Sequence, residues 1–252
     1  MARLLEGKVA AITGGLTGIG RAIAVEFARQ GAKVSVNHLG LPAEEKDQRS
    51  LCKQVGSDNS QEEFPLFFYA GDISDPDVAE AFLVRTAQHF GHLDIVVANA
   101  GIAQFHEFLS TPDDFIQRHV EVNVSGTYYT VRAAGRIMQA QGTGGSIIGI
   151  SSVSALTGSG GLVHYTPTKA AVLNLMQSSA VALGPYGIRC NALLPGTIRT
   201  QLNKCDLARN DKWKEIERRT CLKRVGLPAD VAGPAVFLAS DLSKYVVREF
   251  LS

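Results

Sequence analysis

Charge imbalance is almost absent from this 252-residue chain, in which 25 lysines and arginines stand against 24 aspartates and glutamates for a formal net charge of +1. So even a balance supplies no basic stripe for nucleic acid and no field toward an anionic membrane surface. Small molecules and copies of the same chain are the expected partners. Cysteine is scarce. The four, Cys52, Cys190, Cys205 and Cys221, show no CxxC spacing and no histidine companions at metal-ligand intervals. That pattern argues against a zinc site or a disulfide framework and for reduced thiols, so no metal is expected. No apolar run approaches the roughly 18 residues of a bilayer-spanning helix. Residues 1–8, MARLLEGK, lack the apolar stretch of a secretory signal, which makes the cytoplasm the expected location. Internal repeats and low-complexity tracts are also missing.

What is present is alternation. Short apolar, β-branched runs at residues 8–13, 33–37, 66–69, 95–98, 146–150 and 189–194 are separated by longer segments of helical period, the pattern of βαβ units around a parallel sheet. Ile19, Ile23 and Phe27 recur every four residues, and Gly31 ends that helix just before the second run. Ser110-Thr111-Pro112-Asp113-Asp114 reads as a helix start, with a hydroxyl cap, a proline in the first turn and acids against the positive helix end. The helix should run to about Gln141. The polar stretch 44–63 reads as a helix plus a surface loop. At 45% hydrophobic residues, the chain can bury one substantial core. The expectation is a single α/β domain, residues 1–252, with one Rossmann-type doubly wound parallel sheet and helices on both faces.

Between the first strand and its helix lies Thr13-Gly14-Gly15-Leu16-Thr17-Gly18-Ile19-Gly20. Glycines there let the backbone approach a pyrophosphate, and the helix start offers free N–H groups and a positive dipole end. Tyr165 and Lys169, four apart at the start of a helical segment running to Gly184, share one helix face. A phenol is a poor base at neutral pH, but a neighbouring ammonium and an oxidised nicotinamide ring both favour its phenolate. Tyr165 is therefore the candidate general acid/base and Lys169 its activator.

The spacing TGxxxGxG at 13–20 resembles that of the short-chain dehydrogenase/reductase family. The same is true of Asp72-Ile73 after the third strand, Asn99-Ala100-Gly101 after the fourth, Ser152 with Tyr165 and Lys169, and PGTIRT at 195–200. The resemblance spans residues 7 to about 246. It implies a nicotinamide-dependent oxidoreductase using NAD or NADP. Gly14, Thr17, Gly18, Ile19 and Gly20 would lie at the pyrophosphate, Asp72 and Ile73 at the adenine, and Asn99, Ala100 and Gly101 along the cofactor cleft. Ile198 and Thr200 would contact the nicotinamide amide, and Lys169 would anchor a ribose. Ser152, thirteen residues before Tyr165, would hydrogen-bond the reacting oxygen. The alternative reading is a strand-end serine satisfying a turn, a task that falls more naturally to Ser151. Asn123 sits in a predicted helix, where asparagine is mildly unfavourable; by resemblance it carries a proton-relay water above Lys169, and otherwise it is a surface asparagine. After the second strand stand Asn37 and His38, neither an acid for a ribose 2′-hydroxyl nor a base for a 2′-phosphate. Use of both cofactors with a lean toward NAD is expected.

A finer resemblance, to fungal L-rhamnose 1-dehydrogenases, lies in residues 36–39, 145–152 (GSIIGISS), 164–170 (HYTPTKA), 186–197 and 224–240. It implies oxidation of an aldose at its anomeric carbon to a lactone. Ser154, on the same face as Ser152, and His164, beside Tyr165, are candidate sugar contacts with Ser152 and Tyr165, against ordinary loop packing. Two other readings stay open, a reductase of fatty-acyl or secondary-metabolite ketones and a cofactor-binding protein without redox activity. The ending Tyr245-Val246-Val247-Arg248-Glu249-Phe250-Leu251-Ser252 lacks the family's last strand and its Val-Asp-Gly-Gly-like turn. The 189–194 strand should then be an open edge unless residues 246–251 or another chain cover it. An exposed edge of this kind favours a dimer over a tetramer.

Overall fold

The computed structural model describes residues 3–56, 65–203 and 210–252. Seven strands form one parallel sheet in the order β3-β2-β1-β4-β5-β6-β7. They are β1 Val9–Ile12, β2 Lys33–His38, β3 Leu66–Ala70, β4 Ile95–Ala98, β5 Gly145–Ile150, β6 Ile188–Leu193 and β7 Phe250–Leu251. Every residue of β1 and β4 is buried, as a sheet covered on both faces requires. Alternate side chains feed two cores. Ala10 and Ile12 join Ile23 and Phe27 of α1 (Gly18–Arg29), Leu51 of α2 (Glu44–Val55) and Leu238 of α8 (Pro228–Ala239). On the other face Ala11 joins Phe82 of α3 (Pro76–Phe90), Met138 of α5 (Gly126–Gln141) and Met176 of α6 (Thr166–Leu183). The strand order reverses between β1 and β4, and a crevice opens at the carboxyl ends of the strands on either side of such a point.

Two departures from the sequence pattern shape the site. The expected long helix is α4 (Asp113–Val120) followed by a π-turn, Glu121–Ser125, and then α5. Its N-cap is Pro112 rather than a hydroxyl, because Ser110 belongs to a separate 3-10 turn, Phe108–Ser110. At the other end of the sheet the 246–251 segment does cover β6. Ala192 pairs with Phe250 and Leu193 with Leu251. The Arg248 N–H donates to the Cys190 carbonyl at 2.9 Å, the Leu194 N–H to that of Leu251 at 2.7 Å, and Asn191 brackets the approach through the Val246 carbonyl at 2.8 Å and the Glu249 N–H at 3.0 Å. Arg248 turns the chain onto the edge at φ 68°, a conformation that costs a non-glycine residue about 1 kcal/mol. Helix α7 (Asn210–Arg219) lies between the loop after β6 and α8 in the chain.

Candidate active site

The glycine-rich turn is held from below by the strand beside it. Thr13, 2% exposed, accepts at Oγ1 from the N–H groups of Asn99 and Ala100, both at 3.0 Å. Asn99 Nδ2 donates in return to the carbonyls of Thr13 (2.9 Å) and Gly14 (3.1 Å). A Cβ on Gly20 would stand 2.5 Å from Asn99 Nδ2, and one on Gly14, at φ +61°, 3.1 Å from the Ala100 Cα. These two glycines are therefore dictated as much by the Asn99-Ala100-Gly101 turn as by any ligand. Gly18, at φ +55°, faces Thr200, whose Cγ2 lies 3.3 Å from a Cβ built there. The loop after β6 thus arches over the glycine turn. At the start of α1 no side chain caps the helix, Thr17 is exposed and the first turn holds no acid. Its N–H groups and positive dipole end are left for an anion, so the turn fits a dinucleotide pyrophosphate.

The adenosine side is more crowded than its residues suggest. Asn37 is buried, with Nδ2 donating to the Gly71 carbonyl at 2.9 Å and Oδ1 accepting weakly from the Gly14 N–H at 3.4 Å. His38 is buried too, its Nδ1 3.2 Å from the Glu44 carboxylate. Glu44 also accepts from the Gly40 and Leu41 N–H groups at 2.8 and 2.9 Å. Burial pushes its carboxyl up, but the Leu41, His38 and Gly40 hydrogen bonds together hold it below the ordinary value. A negative charge therefore stands where sequence reasoning saw none. Asp72 is tied to Ser74 and Arg118. Burial raises its pKa, and the Ser74 N–H and the Arg118 guanidinium more than reverse that. Ile73, 4% exposed, has its side chain in the core, and its carbonyl packs against Gly126 of α5. Ile198 bridges to Gly226, and the Thr200 N–H donates to Asn203 Oδ1 at 3.0 Å.

On the catalytic side β5 and α6 converge. Ser151, rather than satisfying a turn, donates to the Lys169 carbonyl at 2.6 Å, tying strand to helix. Ser152 accepts from the Ser154 N–H at 3.1 Å and meets the Tyr165 hydroxyl. Lys169, 5% exposed, donates from Nζ to the Ile150 carbonyl at 3.0 Å and lies 5.6 Å from the centre of the Tyr165 ring. Asn123 is fully buried in the π-turn. Its Oδ1 accepts from the Ile102 N–H at 2.8 Å, and its Nδ2 donates to the Ile102 carbonyl and to Thr168 Oγ1, both at 3.0 Å. A Cβ on Gly101 would sit 3.2 Å from Asn123 Oδ1 and 3.3 Å from Lys169 Nζ, so the bare Gly101 lets these two groups close on one another. The surface-asparagine reading of Asn123 is excluded. Thr13, Ser151 and Thr168, whose hydroxyls lock the site from beneath, carry no such role in the sequence reading, where Thr13 only opens the glycine motif and Ser151 satisfies a turn.

Electrostatically the site is poised rather than active. Burial pushes the Tyr165 phenol up to about 12, with the Ser152 hydrogen bond opposing it, and burial alone brings Lys169 down to about 8. At neutral pH the tyrosine holds its proton and the lysine is largely an ammonium. Cationic charge added beside the phenol would draw that proton off.

The profile of a family described as enoyl-(acyl carrier protein) reductase matches residues 14–251. An L-rhamnose-1-dehydrogenase of Scheffersomyces stipitis is 52% identical over 246 residues, covering 98% of this chain and 94% of that protein. An L-rhamnose 1-dehydrogenase (NAD(P)(+)) of a Sphingomonas species is 47% identical, covering 97% and 93%. The crystal structure of a short-chain type dehydrogenase/reductase from Mycobacterium marinum superposes with a TM-score of 0.89 at 32% identity, covering 99% of this chain and 95% of that one. With its glycine turn, its Ser152, Tyr165 and Lys169 cluster and these relatives, the chain belongs to the short-chain dehydrogenase/reductase family of nicotinamide-dependent oxidoreductases.

Proposed function

We propose that this enzyme oxidises a free aldose, L-rhamnose before others, at C1 to the lactone, with NAD or NADP as hydride acceptor. The observation that carries this reading is the identity of 52% and 47%, spread over nearly the whole chain, to two proteins named L-rhamnose 1-dehydrogenase. The substrate loses the C1 hydrogen as hydride and the hydroxyl hydrogen as a proton, and the C1–O bond becomes a carbonyl. Tyr165 takes the proton and Ser152 donates a hydrogen bond to the reacting oxygen. Lys169 stabilises the Tyr165 phenolate that accepts this proton and anchors a ribose, and Asn123 carries the water through which the proton leaves. The bound dinucleotide supplies the hydride acceptor and, when oxidised, a positive ring that favours the phenolate. Gly14, Thr17, Gly18, Ile19 and Gly20 hold its pyrophosphate, and Asn37 and His38 border its adenosine ribose. Asp72 and Ile73 flank its adenine, Asn99, Ala100 and Gly101 line the cleft, and Ile198 and Thr200 meet its amide. Ser154 supplies a hydroxyl to the sugar, whereas the His164 ring, 7% exposed with Nε2 on the Gln104 carbonyl, bears on the sugar's side through that bond rather than by contact.

The whole activity resides in one domain, residues 1–252, acting in the cytoplasm as a homo-oligomer. Strand β7 covers the edge from which a dimer was expected, so a dimer through α5 and α6 rests instead on Tyr128 and Val181, 46% and 64% exposed on those helices. Turnover across a panel of aldoses and ketones with both cofactors is the test. The expected result is L-rhamnose oxidation ahead of every other substrate. Faster reduction of acyl or cyclic ketones would put the ketone-reductase reading in its place.

A further inference from the structure

His164 stands next to Tyr165 but its ring is turned away from solvent, 7% exposed, with Nε2 2.8 Å from the Gln104 carbonyl. Burial holds its imidazole below the ordinary value, so the ring is neutral and its proton is the one on Nε2. Two rings fix its plane. Phe115 lies edge-on at 4.8 Å and His119 at 4.5 Å, and Phe115 and His119 are themselves 4.6 Å apart. His119 is 1% exposed and spends its Nδ1 on the Phe115 carbonyl at 2.8 Å, while its Nε2 is buried with no hydrogen-bond partner. A buried imidazole nitrogen without a partner is destabilising, so the stack is maintained for its shape rather than for polar pairing.

The segment that His164 grips is the one that follows β4. Asn123 pins it at Ile102, His164 at Gln104, and a backbone bond from the His106 N–H to the Gly161 carbonyl at 3.1 Å fastens it to the stretch leading into Tyr165. Beyond the grip, Phe105, His106, Phe108 and Leu109 face Gly160 and Gly161 across an open depression of about 540 Å³. The depression is thus walled by the segment after β4 and by the stretch that ends four residues before the proposed acid/base.

We infer that His164 is a positioning residue: through the Gln104 carbonyl it seats the 102–109 segment over the sugar's side of the site, without touching the reacting atoms. The inference rests on the proposed role of Tyr165 for its kinetic readout only. His164→Phe keeps a ring in the aromatic stack and deletes the N–H; His164→Gln keeps an N–H at similar reach and deletes the ring. Two measurements are made on the full-length enzyme, hydrogen exchange of the 102–109 amides without substrate and steady-state kinetics with L-rhamnose at saturating dinucleotide. In His164→Phe, exchange across 102–109 should accelerate about tenfold and KM for the sugar should rise by a similar factor, the effect of one lost buried hydrogen bond. Its kcat and its dinucleotide Kd should stay within about twofold of the parent, and His164→Gln should restore both exchange and KM to within about threefold. Unchanged exchange in His164→Phe overturns the inference. So does faster exchange with unchanged KM, or a kcat loss that the Gln variant does not rescue. If the parent turns over no sugar at all, the functional reading fails, while the exchange comparison still decides whether His164 seats the segment.

Discussion

Replacing Lys169 by methionine separates the electrostatic cost of the site from its chemistry. Burial lowers this lysine from 10.5 to about 8, and a difference of that size corresponds to about 3 kcal/mol of differential interaction. The folded pKa is the lower one, so the folded state binds the proton less tightly than the unfolded chain. Below about pH 8 both states carry the ammonium and the folded protein bears the whole penalty; as pH rises from 8 toward 10.5 the folded state sheds its proton first and the penalty disappears. Methionine removes the penalty at every pH, but leaves the Ile150 carbonyl, now bonded to Nζ at 3.0 Å, unpaired at a pH-independent cost of about 1–3 kcal/mol. At pH 7 the variant should therefore be as stable as the parent or up to about 2 kcal/mol more stable, and it should be inactive. The decisive quantity is the difference between the two proteins, followed by urea unfolding at fixed protein concentration. Between pH 7 and 9.5 it should move by about 2 kcal/mol in favour of the parent. A difference that stays flat over that interval would mean that the ammonium is not desolvated, and would refute the reasoning.

Four other outcomes follow from the geometry. Tyr165→Phe should keep dinucleotide affinity and fold while lowering kcat by at least about a thousandfold, since one oxygen is deleted from an otherwise unchanged helix face; parent-like turnover would eliminate the mechanism. Glu44→Gln removes the charge that stands beside His38 at 3.2 Å, so the NADP/NAD ratio of kcat/KM should rise about fivefold by relief of Coulomb repulsion on a 2′-phosphate, as read from initial rates. The parent should use both cofactors, with a discrimination below roughly a thousandfold. Asn123→Ala deletes three hydrogen bonds from a fully buried side chain, and should lower stability by about 3 kcal/mol in urea as well as activity.

The parallel sheet was legible because buried parallel strands are written as short continuous β-branched runs, and all six runs read from the sequence became β1 to β6. Strand β7 was not, since Phe250 and Leu251 are about 40% exposed and two residues carry no period. The π-turn at Glu121–Ser125 was equally hidden: one extra residue per turn hardly disturbs a helical pattern, yet it is what buries Asn123. Site residues were found where their neighbours in the chain are also their neighbours in space, as in the glycine turn and the Tyr165 and Lys169 pair. Where partners are remote the reading went astray or stayed silent. Ser151 was given a turn, yet its hydroxyl is held 18 residues away by Lys169. His164 was read through its neighbour Tyr165, while its N–H is bonded to Gln104, 60 residues earlier. Asn37 and His38 were read as an uncharged cofactor border, and the turn at Gly40 and Leu41 folds Glu44 back onto His38.

The central claim, hydride removal from C1 of a free sugar, is tested most directly with L-rhamnose carrying deuterium at C1, incubated with enzyme and oxidised dinucleotide. Mass spectrometry of both products should find one deuterium on the reduced nicotinamide and none on the lactone. Formation of reduced dinucleotide without the label, or a lactone that retains it, would contradict the account.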